Sequence, residues 1–141
     1  MSAEHMIEKV CNLWIESAEY RCIPTTGAVE QGEAVLDNPI AEEAGQRLAG
    51  FATDLGRLIT SRGNHVHMVR PGVISFPIKQ FAWQGVTIQI LQRSAQELAS
   101  LVGDAKTLLP RPPLGGSDPT WEEVASALGT LPDNIIVIQH Q

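Results

Sequence analysis

The sequence predicts an α/β protein, a three-layer α/β/α sandwich with a mixed central sheet of about six strands. Short runs rich in β-branched residues alternate with amphipathic helical segments through the second half of the chain, which is typical of this architecture. The 141 residues are enough to bury one core and leave no comfortable room for a second. We therefore expect a single domain over residues 1–141.

Two strands are predicted ahead of the first helix. The segment Met6 to Trp14 alternates loosely, as an edge strand does, and Glu19 to Pro24 forms the second run. The small residues of Pro24-Thr-Thr-Gly27 end this pattern. Residues 28–37 are polar and lack periodicity, which predicts a long loop, and long loops inside compact domains are usually functional.

The dipeptide Asn38-Pro39 begins the clearest helix, whose apolar residues keep a helical spacing as far as a stop at Gly63. Two short β-rich runs follow it, from His65 to Val69 and from Val73 to Ile78. The turn signal Arg70-Pro-Gly between them predicts either a hairpin or two neighbouring strands.

The second half of the chain contains two more helices and two more strands. Thr87 is predicted to cap a helix whose apolar stripe runs to Gly103, and the segment Lys106 to Pro110 is the fifth strand. A third helix ends at Gly129. The segment Ile135 to Gln139 then closes the sheet.

The segment Pro110 to Val124 passes from a buried strand through a Pro/Gly loop into a helix, which is where open α/β sheets place ligands. Gly115 and Gly116 allow close approach of the backbone, and Asp118 followed by a proline predicts an N-cap. The loop is expected to present unpaired N–H groups to an anion. Its prolines are equally consistent with a stiff connector.

Composition excludes several classes of protein. A formal net charge of −6 and scattered basic residues argue against nucleic-acid binding by phosphate neutralisation. The N-terminus has no signal-peptide pattern, and no apolar run approaches a membrane span, so we expect a cytoplasmic protein. Cys11 and Cys22 are expected to be reduced thiols. No hydrolase nucleophile elbow, P-loop or dinucleotide glycine fingerprint is present, and the sequence predicts neither a cofactor nor a metal.

Several side chains are candidates for chemistry. His65 and His67 alternate, so they are expected to share a solvated sheet face rather than hold a metal. Lys79 ends an apolar strand and is either a solvated cap or an ammonium held near a pocket. Phe81 and Trp83 are either packing residues or a wall on which a base stacks.

Read together, these positions resemble a macrodomain, the ADP-ribose-binding α/β/α module, in its compact prokaryotic branch. The segment Pro110-Arg-Pro-Pro-Leu-Gly-Gly-Ser-Asp-Pro-Thr-Trp-Glu-Glu-Val124 is similar to the diphosphate loop and following helix of that family. Ile74-Ser-Phe-Pro-Ile-Lys79 is a second anchor at the right distance. The resemblance runs from about Val10 to the C-terminus and marks a divergent member.

The resemblance implies a binding site and a catalytic pair. Its implied ligand-binding residues include an adenine contact, a ribose edge and a diphosphate loop, and they are Asn12, Thr26, Gly27, Asn38, Leu114, Gly115, Gly116 and Ser117. Lys79 falls where one branch of the family uses a lysine to remove ADP-ribose, with Asp118 near the position of an assisting acid. The glycine turn of the family is replaced by Leu36-Asp-Asn-Pro-Ile-Ala41, which puts Asp37 where a diphosphate would lie.

Three functions remain open at this point. The first is binding of ADP-ribose or a related nucleotide through backbone amides of strand-end loops. The second is an ADP-ribosyl hydrolase that uses Lys79. The third is a derived macrodomain that has lost the nucleotide and acts through protein contacts. The sequence leaves the oligomeric state undetermined.

Overall fold

The structure is a computed structural model that describes residues 6–141. It contains eight strands and four helices within that range. The strands are β1 (Glu8–Cys11), β2 (Tyr20–Thr26), β3 (Val29–Glu30), β4 (Glu33–Ala34), β5 (His67–Arg70), β6 (Val73–Lys79), β7 (Thr107–Pro110) and β8 (Ile135–His140). The helices are α1 (Pro39–Arg47), α2 (Phe51–Arg62), α3 (Ile88–Val102) and α4 (Trp121–Leu128).

Six strands form the central sheet, in the order β1-β8-β7-β2-β6-β5. Every neighbouring pair is parallel except β5 and β6, which form an antiparallel hairpin. Gly72 has φ +80° in the turn between them, a conformation that glycine adopts without strain. The predicted mixed sheet of about six strands is confirmed, and so is the hairpin interpretation of the Arg70-Pro-Gly turn.

Helices cover both faces of the sheet, which confirms the three-layer sandwich. Helices α3 and α4 pack on one face through an apolar cluster that includes Cys22, Ile74, Phe76, Leu91, Leu98, Leu109, Val124 and Val137. Helices α1 and α2 pack on the other face through Cys11, Ile23, Ala41, Ala44, Phe51, Leu55, Leu108 and Ile138. Successive residues of β2 and β7 thus enter opposite cores, as the two-residue period of a strand requires.

The predicted first helix is two helices. The chain leaves the helical conformation at Leu48, which is extended at φ −118°, and turns through Gly50 at φ +78° before α2 begins. The polar segment 28–37, expected to be a structureless loop, contains the β3–β4 hairpin. The division into α1 and α2 was not predicted, because the chain turns at Gly50 without interrupting the apolar stripe.

Three local expectations were wrong in detail. The cap of α4 is Thr120, which forms a reciprocal capping box with Glu123, so Asp118 lies outside the helix start. Thr87 occupies the N-cap position of α3, yet its hydroxyl donates to the carbonyl of Gly85 and makes no cap bond. The first strand covers only Glu8–Cys11, because the chain turns at Asn12.

Gly56 tests the packing of α2 against the β3–β4 hairpin. A Cβ atom there would lie 2.5 Å from the carbonyl oxygen of Gly32 and 2.9 Å from the amide nitrogen of Ala34, both in the backbone. We expect Gly56→Ala to lower the free energy of unfolding by about 1–3 kcal/mol, since the hairpin must move away. Chemical denaturation measures this change. The exposed Thr60→Ala on the same helix should stay within about 0.5 kcal/mol, and equal effects would contradict the close contact.

Candidate functional site

The carboxyl ends of the parallel strands bring most of the predicted site residues to one edge of the sheet. Asn12 follows β1, Thr26 ends β2, Lys79 ends β6, and the loop Leu114–Ser117 follows β7. The strand order places a topological switch point between β7 and β2, because the chain passes from β7 to β8 on one side and from β2 to β5, the next strand of this sheet, on the other. Crevices at such points are the usual ligand sites of open α/β sheets.

Strands β7 and β2 pair only at their beginnings. Tyr20 pairs with Thr107 and Arg21 pairs with Leu108, after which the two strands diverge. Prolines lie at or near the carboxyl ends of the three central strands, Pro24 in β2, Pro77 in β6 and Pro110 in β7. Since proline has no N–H to donate to a sheet, these residues limit pairing where the crevice opens.

Lys79 is held in an ion pair rather than exposed to solvent. Its Nζ lies 2.8 Å from Oδ2 of Asp37, and both side chains are less than one-fifth exposed. The same ammonium donates to the carbonyl oxygens of Ala82 and Gln84, each at 3.2 Å. All three N–H bonds of the ammonium therefore have acceptors within the chain, and the charge that Asp37 places at this edge is neutralised.

Asn38 anchors α1 above the end of β2. Its Oδ1 accepts from the amide of Ala41 at 2.9 Å, as an N-cap does, and its Nδ2 donates to the carbonyl of Pro24 at 3.0 Å. The side chain is buried. The predicted cap is thus confirmed, and the polar atoms that the resemblance assigns to a ligand are bonded within the fold.

The ribose edge implied for Thr26 and Gly27 is also closely packed. Thr26 is buried and its hydroxyl accepts from the amide of Ala28, while the amide of Gly27 donates to the carbonyl of Gln80 at 2.9 Å. A Cβ atom on Gly27 would lie 2.8 Å from the side chains of Asn64 and Gln80. A side chain at this position would therefore displace the side chains of Asn64 and Gln80.

Asp118 ties the glycine loop to the start of α3. Its Oδ1 accepts from the amide of Val86 at 2.8 Å and its Oδ2 accepts from the amide of Gly115 at 3.0 Å. The amide of Gly115 is therefore occupied, contrary to the expectation of an unpaired group. Within residues 6–141, the amides of Gly116 and Ser117 have no acceptor, and both residues are exposed. These two N–H groups are the open donors of the loop.

Asn12 lies at the end of β1, beside the last residue of the chain described. Its Oδ1 accepts from the amide of Trp14 at 2.8 Å, and its Nδ2 donates to the carbonyl of Gln141 at 3.0 Å. The amide side chain thus closes a turn after β1. Its Oδ1 keeps a second lone pair for a ligand donor.

Two cavities lie along this edge of the sheet. One, which we call the β7–β8 cavity, measures about 370 Å³ and is lined by Pro39, Ile40, Arg111, Pro113, Gln139 and His140. The other, the aromatic cavity, measures about 380 Å³ and is lined by Gly27, Ala28, Val29, Glu30, Val35, Phe81, Ala82 and Trp83. The resemblance implied one binding site that combines Thr26 and Gly27 with the loop Leu114–Ser117. Instead, each cavity is lined by only one of the two segments.

Sequence reasoning missed the side chains around the β7–β8 cavity. The guanidinium of Arg111 lies 4.0 Å from the centroid of the Trp121 ring and bonds Glu8 at 2.6 Å. His140 accepts from the amide of Leu13 through Nδ1 and contacts Oε1 of Glu43 at 3.0 Å through Nε2, so the proton of its neutral ring lies on Nε2. These partners are far apart in sequence, and only the Arg in the Pro-Arg-Pro-Pro motif signalled a cation here.

The predicted histidine pair lies close together but not on a solvated sheet face. The two ring centroids are 6.4 Å apart. His65 precedes β5 and contacts Glu97 at 2.7 Å, whereas His67 is buried and contacts the carbonyl of Gly63 at 2.8 Å. The predicted solvated face is therefore wrong, because His67 is buried and His65 lies outside the strand. Cys11 and Cys22 are buried, free thiols, and burial raises the pKa of Cys22. Within residues 6–141, every helix is too short or too polar to cross a membrane.

Comparison with solved structures identifies the fold as that of a macrodomain, as the resemblance implied. The macrodomain of Thermus aquaticus DarG has a TM-score of 0.73 and 12% sequence identity, covering 96% of this chain and 98% of that one. The macrodomain of Mycobacterium tuberculosis DarG has a TM-score of 0.72 and 18% identity, covering 96% and 97%. No protein-family model and no curated protein matches the sequence. The likeness thus establishes the fold for a divergent chain.

Glu43 makes stability near the β7–β8 cavity dependent on pH. The hydrogen bond from the indole of Trp14, with a further contribution from His140, lowers the pKa of Glu43 below its ordinary value of 4.5. A carboxyl group whose pKa is lower in the folded than in the unfolded protein stabilises the fold at pH values above its unfolded-state pKa. This stabilisation is lost as the pH falls through the folded-state pKa. We therefore expect Glu43→Gln to melt about 2–4 °C below wild type at neutral pH.

The gap between wild type and Glu43→Gln should shrink as the pH falls below 4.5, the ordinary value for this carboxyl. Thermal melts between neutral and acidic pH measure it. Glu122→Gln, which alters an exposed carboxylate on α4, serves as the matched control and should show no such convergence. A gap for Glu43→Gln that is constant with pH would contradict the assignment.

Proposed function

We propose that this protein binds ADP-ribose, or a nucleotide of related chemistry, across the carboxyl edge of its sheet. The observation that carries the proposal is the pair of open amides at Gly116 and Ser117, in the loop that follows β7, the strand that diverges from β2. Unpaired backbone N–H groups in a turn form a concave anion site whatever the net charge of the protein. A diphosphate is the anion that the macrodomain fold favours.

The glycine loop is organised for this role before any ligand arrives. Gly116 has φ +54°, and the amide of Asp118 donates to the carbonyl of Gly115, which closes a tight turn. The Asp118 carboxylate fixes the turn to Val86. We therefore assign Asp118 to holding the loop rather than to acid catalysis. A loop held in its binding conformation loses little conformational entropy when it takes an anion.

The remaining parts of the nucleotide are proposed to extend to either side of the loop. The base is proposed to enter the β7–β8 cavity, where Ile40 and Pro113 give apolar walls and Asn12 lies at the end of the neighbouring β1. The distal ribose is proposed to extend toward Gly27, at the end of β2. Adjacent strands are about 4.8 Å apart, so the ends of β8 and β2, which flank β7, are separated by about 10 Å. A diphosphate linker bridges such a span.

The hydrolase alternative assigns Lys79 as a nucleophile. Its contacts argue against that role, because an amine that attacks carbon needs a lone pair and this ammonium donates to three acceptors. The third function, protein contact without nucleotide, draws support from Asp37, which stands in place of a glycine of the family. Neutralisation of Asp37 by Lys79 removes most of that electrostatic objection to a nearby diphosphate.

Calorimetry with free ADP-ribose tests the binding proposal. We expect a dissociation constant below 1 mM, that is, more than about 4 kcal/mol of standard binding free energy. Gly115→Val should weaken binding at least tenfold, because its side chain obstructs the approach to the neighbouring amides. It should not unfold the protein, since a Cβ atom at this position meets nothing within 4 Å.

Ser117→Ala is the control, because it removes a hydroxyl and keeps the backbone amide; its affinity should stay within about threefold of wild type. No heat of binding at millimolar ADP-ribose would remove the nucleotide proposal. An unfolded Gly115→Val would instead make the glycine structural.

Lys79→Arg separates binding from hydrolysis. The arginine keeps the positive charge beside Asp37 and has no amine that can act as a nucleophile, so we expect ADP-ribose affinity to stay within about threefold of wild type. We also expect wild type to release no ADP-ribose from an ADP-ribosylated protein or oligonucleotide, as followed by chromatography. Release by wild type that disappears in Lys79→Arg would establish the hydrolase instead.

A further inference from the structure

Phe81 and Trp83 form a stacked aromatic pair on the surface, just after β6. Their ring centroids are 5.2 Å apart and their planes differ by 4°. Trp83 is 81% exposed and Phe81 is 45% exposed, in a chain whose other large apolar side chains are mostly buried. Two rings stacked on each other cover only their facing sides. The pair therefore leaves an outer aromatic face open beside the aromatic cavity.

The loop that carries these rings is fixed by hydrogen bonds of its own. Oε1 of Gln84 accepts from the amides of Gln80 and Phe81, at 3.1 and 2.9 Å. The ammonium of Lys79 adds a bond to the carbonyl of Ala82. The rings are thus held outward by the backbone rather than by packing on the core, which is the arrangement of a preorganised binding surface.

The charge around the aromatic cavity is negative. Glu30 lines the cavity and lies directly opposite Glu33 across the β3–β4 hairpin. Like charges in opposite positions of a strand pair repel each other. Within residues 6–141 neither carboxylate takes part in a salt bridge, and no lysine or arginine lines the cavity. A cation between ring and carboxylate would relieve this repulsion.

We propose that the aromatic cavity binds the guanidinium of an arginine in a basic segment of a partner protein. A guanidinium is planar and weakly hydrated, stacks on an aromatic face, and donates two parallel hydrogen bonds to a carboxylate. Trp83 supplies the face and Glu30 the carboxylate. A nucleobase also stacks on tryptophan, but its phosphates would approach Glu30, Glu33 and a protein of net charge −6. This site adjoins the proposed nucleotide site at Gly27, toward which the distal ribose is proposed to extend. No nucleotide contact is assigned to Trp83 or Glu30, so the guanidinium site does not depend on nucleotide binding.

Nuclear magnetic resonance of the nitrogen-15-labelled full chain tests the proposal. The probe is acetyl-Gly-Arg-Gly-amide, and the matched control is the same peptide with citrulline, which keeps the planar shape and removes the charge. We expect shifts of the Trp83 indole and of the amides of Gly27 and Ala82 with arginine, and binding about tenfold weaker with citrulline. Oligothymidylate is the third probe. The Trp83 indole is identified among the three tryptophans by its loss in Trp83→Ala.

Single-residue variants test whether Trp83 and Glu30 are the side chains that bind the peptide. Trp83→Ala should weaken binding of the arginine peptide about tenfold. Glu30→Gln should weaken it about fivefold and make the affinity less dependent on salt concentration. Ile15→Ala, which removes an equally exposed apolar side chain elsewhere, should change nothing. ADP-ribose affinity should be the same in all three variants. The guanidinium proposal can therefore be disproved without affecting the nucleotide proposal, and the reverse also holds.

Three outcomes would overturn the proposal. Equal binding of the arginine and citrulline peptides would show that charge is not recognised. Shifts produced by oligothymidylate alone would assign the rings to single-stranded nucleic acid. The absence of any shift at Trp83 with millimolar arginine peptide would leave the pair without a guanidinium ligand.

Discussion

The candidate site depends on the brief pairing of β7 with β2. The two strands share only their first positions, because β2 continues alongside β6 while β7 leads away to β8. Prolines near the carboxyl ends of these strands withhold the donors that would extend the pairing. The edge of the sheet opens as a result. Helix α1, anchored to Pro24 by Asn38, and the glycine loop after β7 occupy its two sides.

Most polar side chains at this edge serve the fold itself. Lys79 is paired with Asp37, both polar atoms of Asn38 are bonded, and both oxygens of Asp118 accept backbone amides. What remains open is main chain, at Gly116 and Ser117. Recognition through backbone amides requires a conformation rather than particular side chains. Such a site can survive extensive sequence change, which fits a fold kept at 12–18% identity to its structural neighbours.

The sequence predicted the fold more completely than the site. The six sheet strands follow from local apolar patterns, and the hairpin at Gly72 follows from its turn residues. Predictions failed where a local signal had two interpretations. The chain turns through Gly50 between α1 and α2 without breaking the apolar stripe, and Thr120 caps α4 although Asp118 also fits a cap. The partners of Lys79 and His140 were not predictable, because Asp37 and Glu43 reach them through the tertiary structure.

The sheet order also constrains how the chain is made. Strand β1 pairs only with β8, and Glu8 is in register with Val137. On the ribosome, β1 is therefore synthesised before the other described strands and remains without its partner until β8 is translated, on the order of ten seconds later at ordinary elongation rates. During that interval its unpaired edge and the side chains of Met6 and Cys11, which are buried in the folded protein, stay exposed. This edge of the sheet therefore forms only after β8 has been translated.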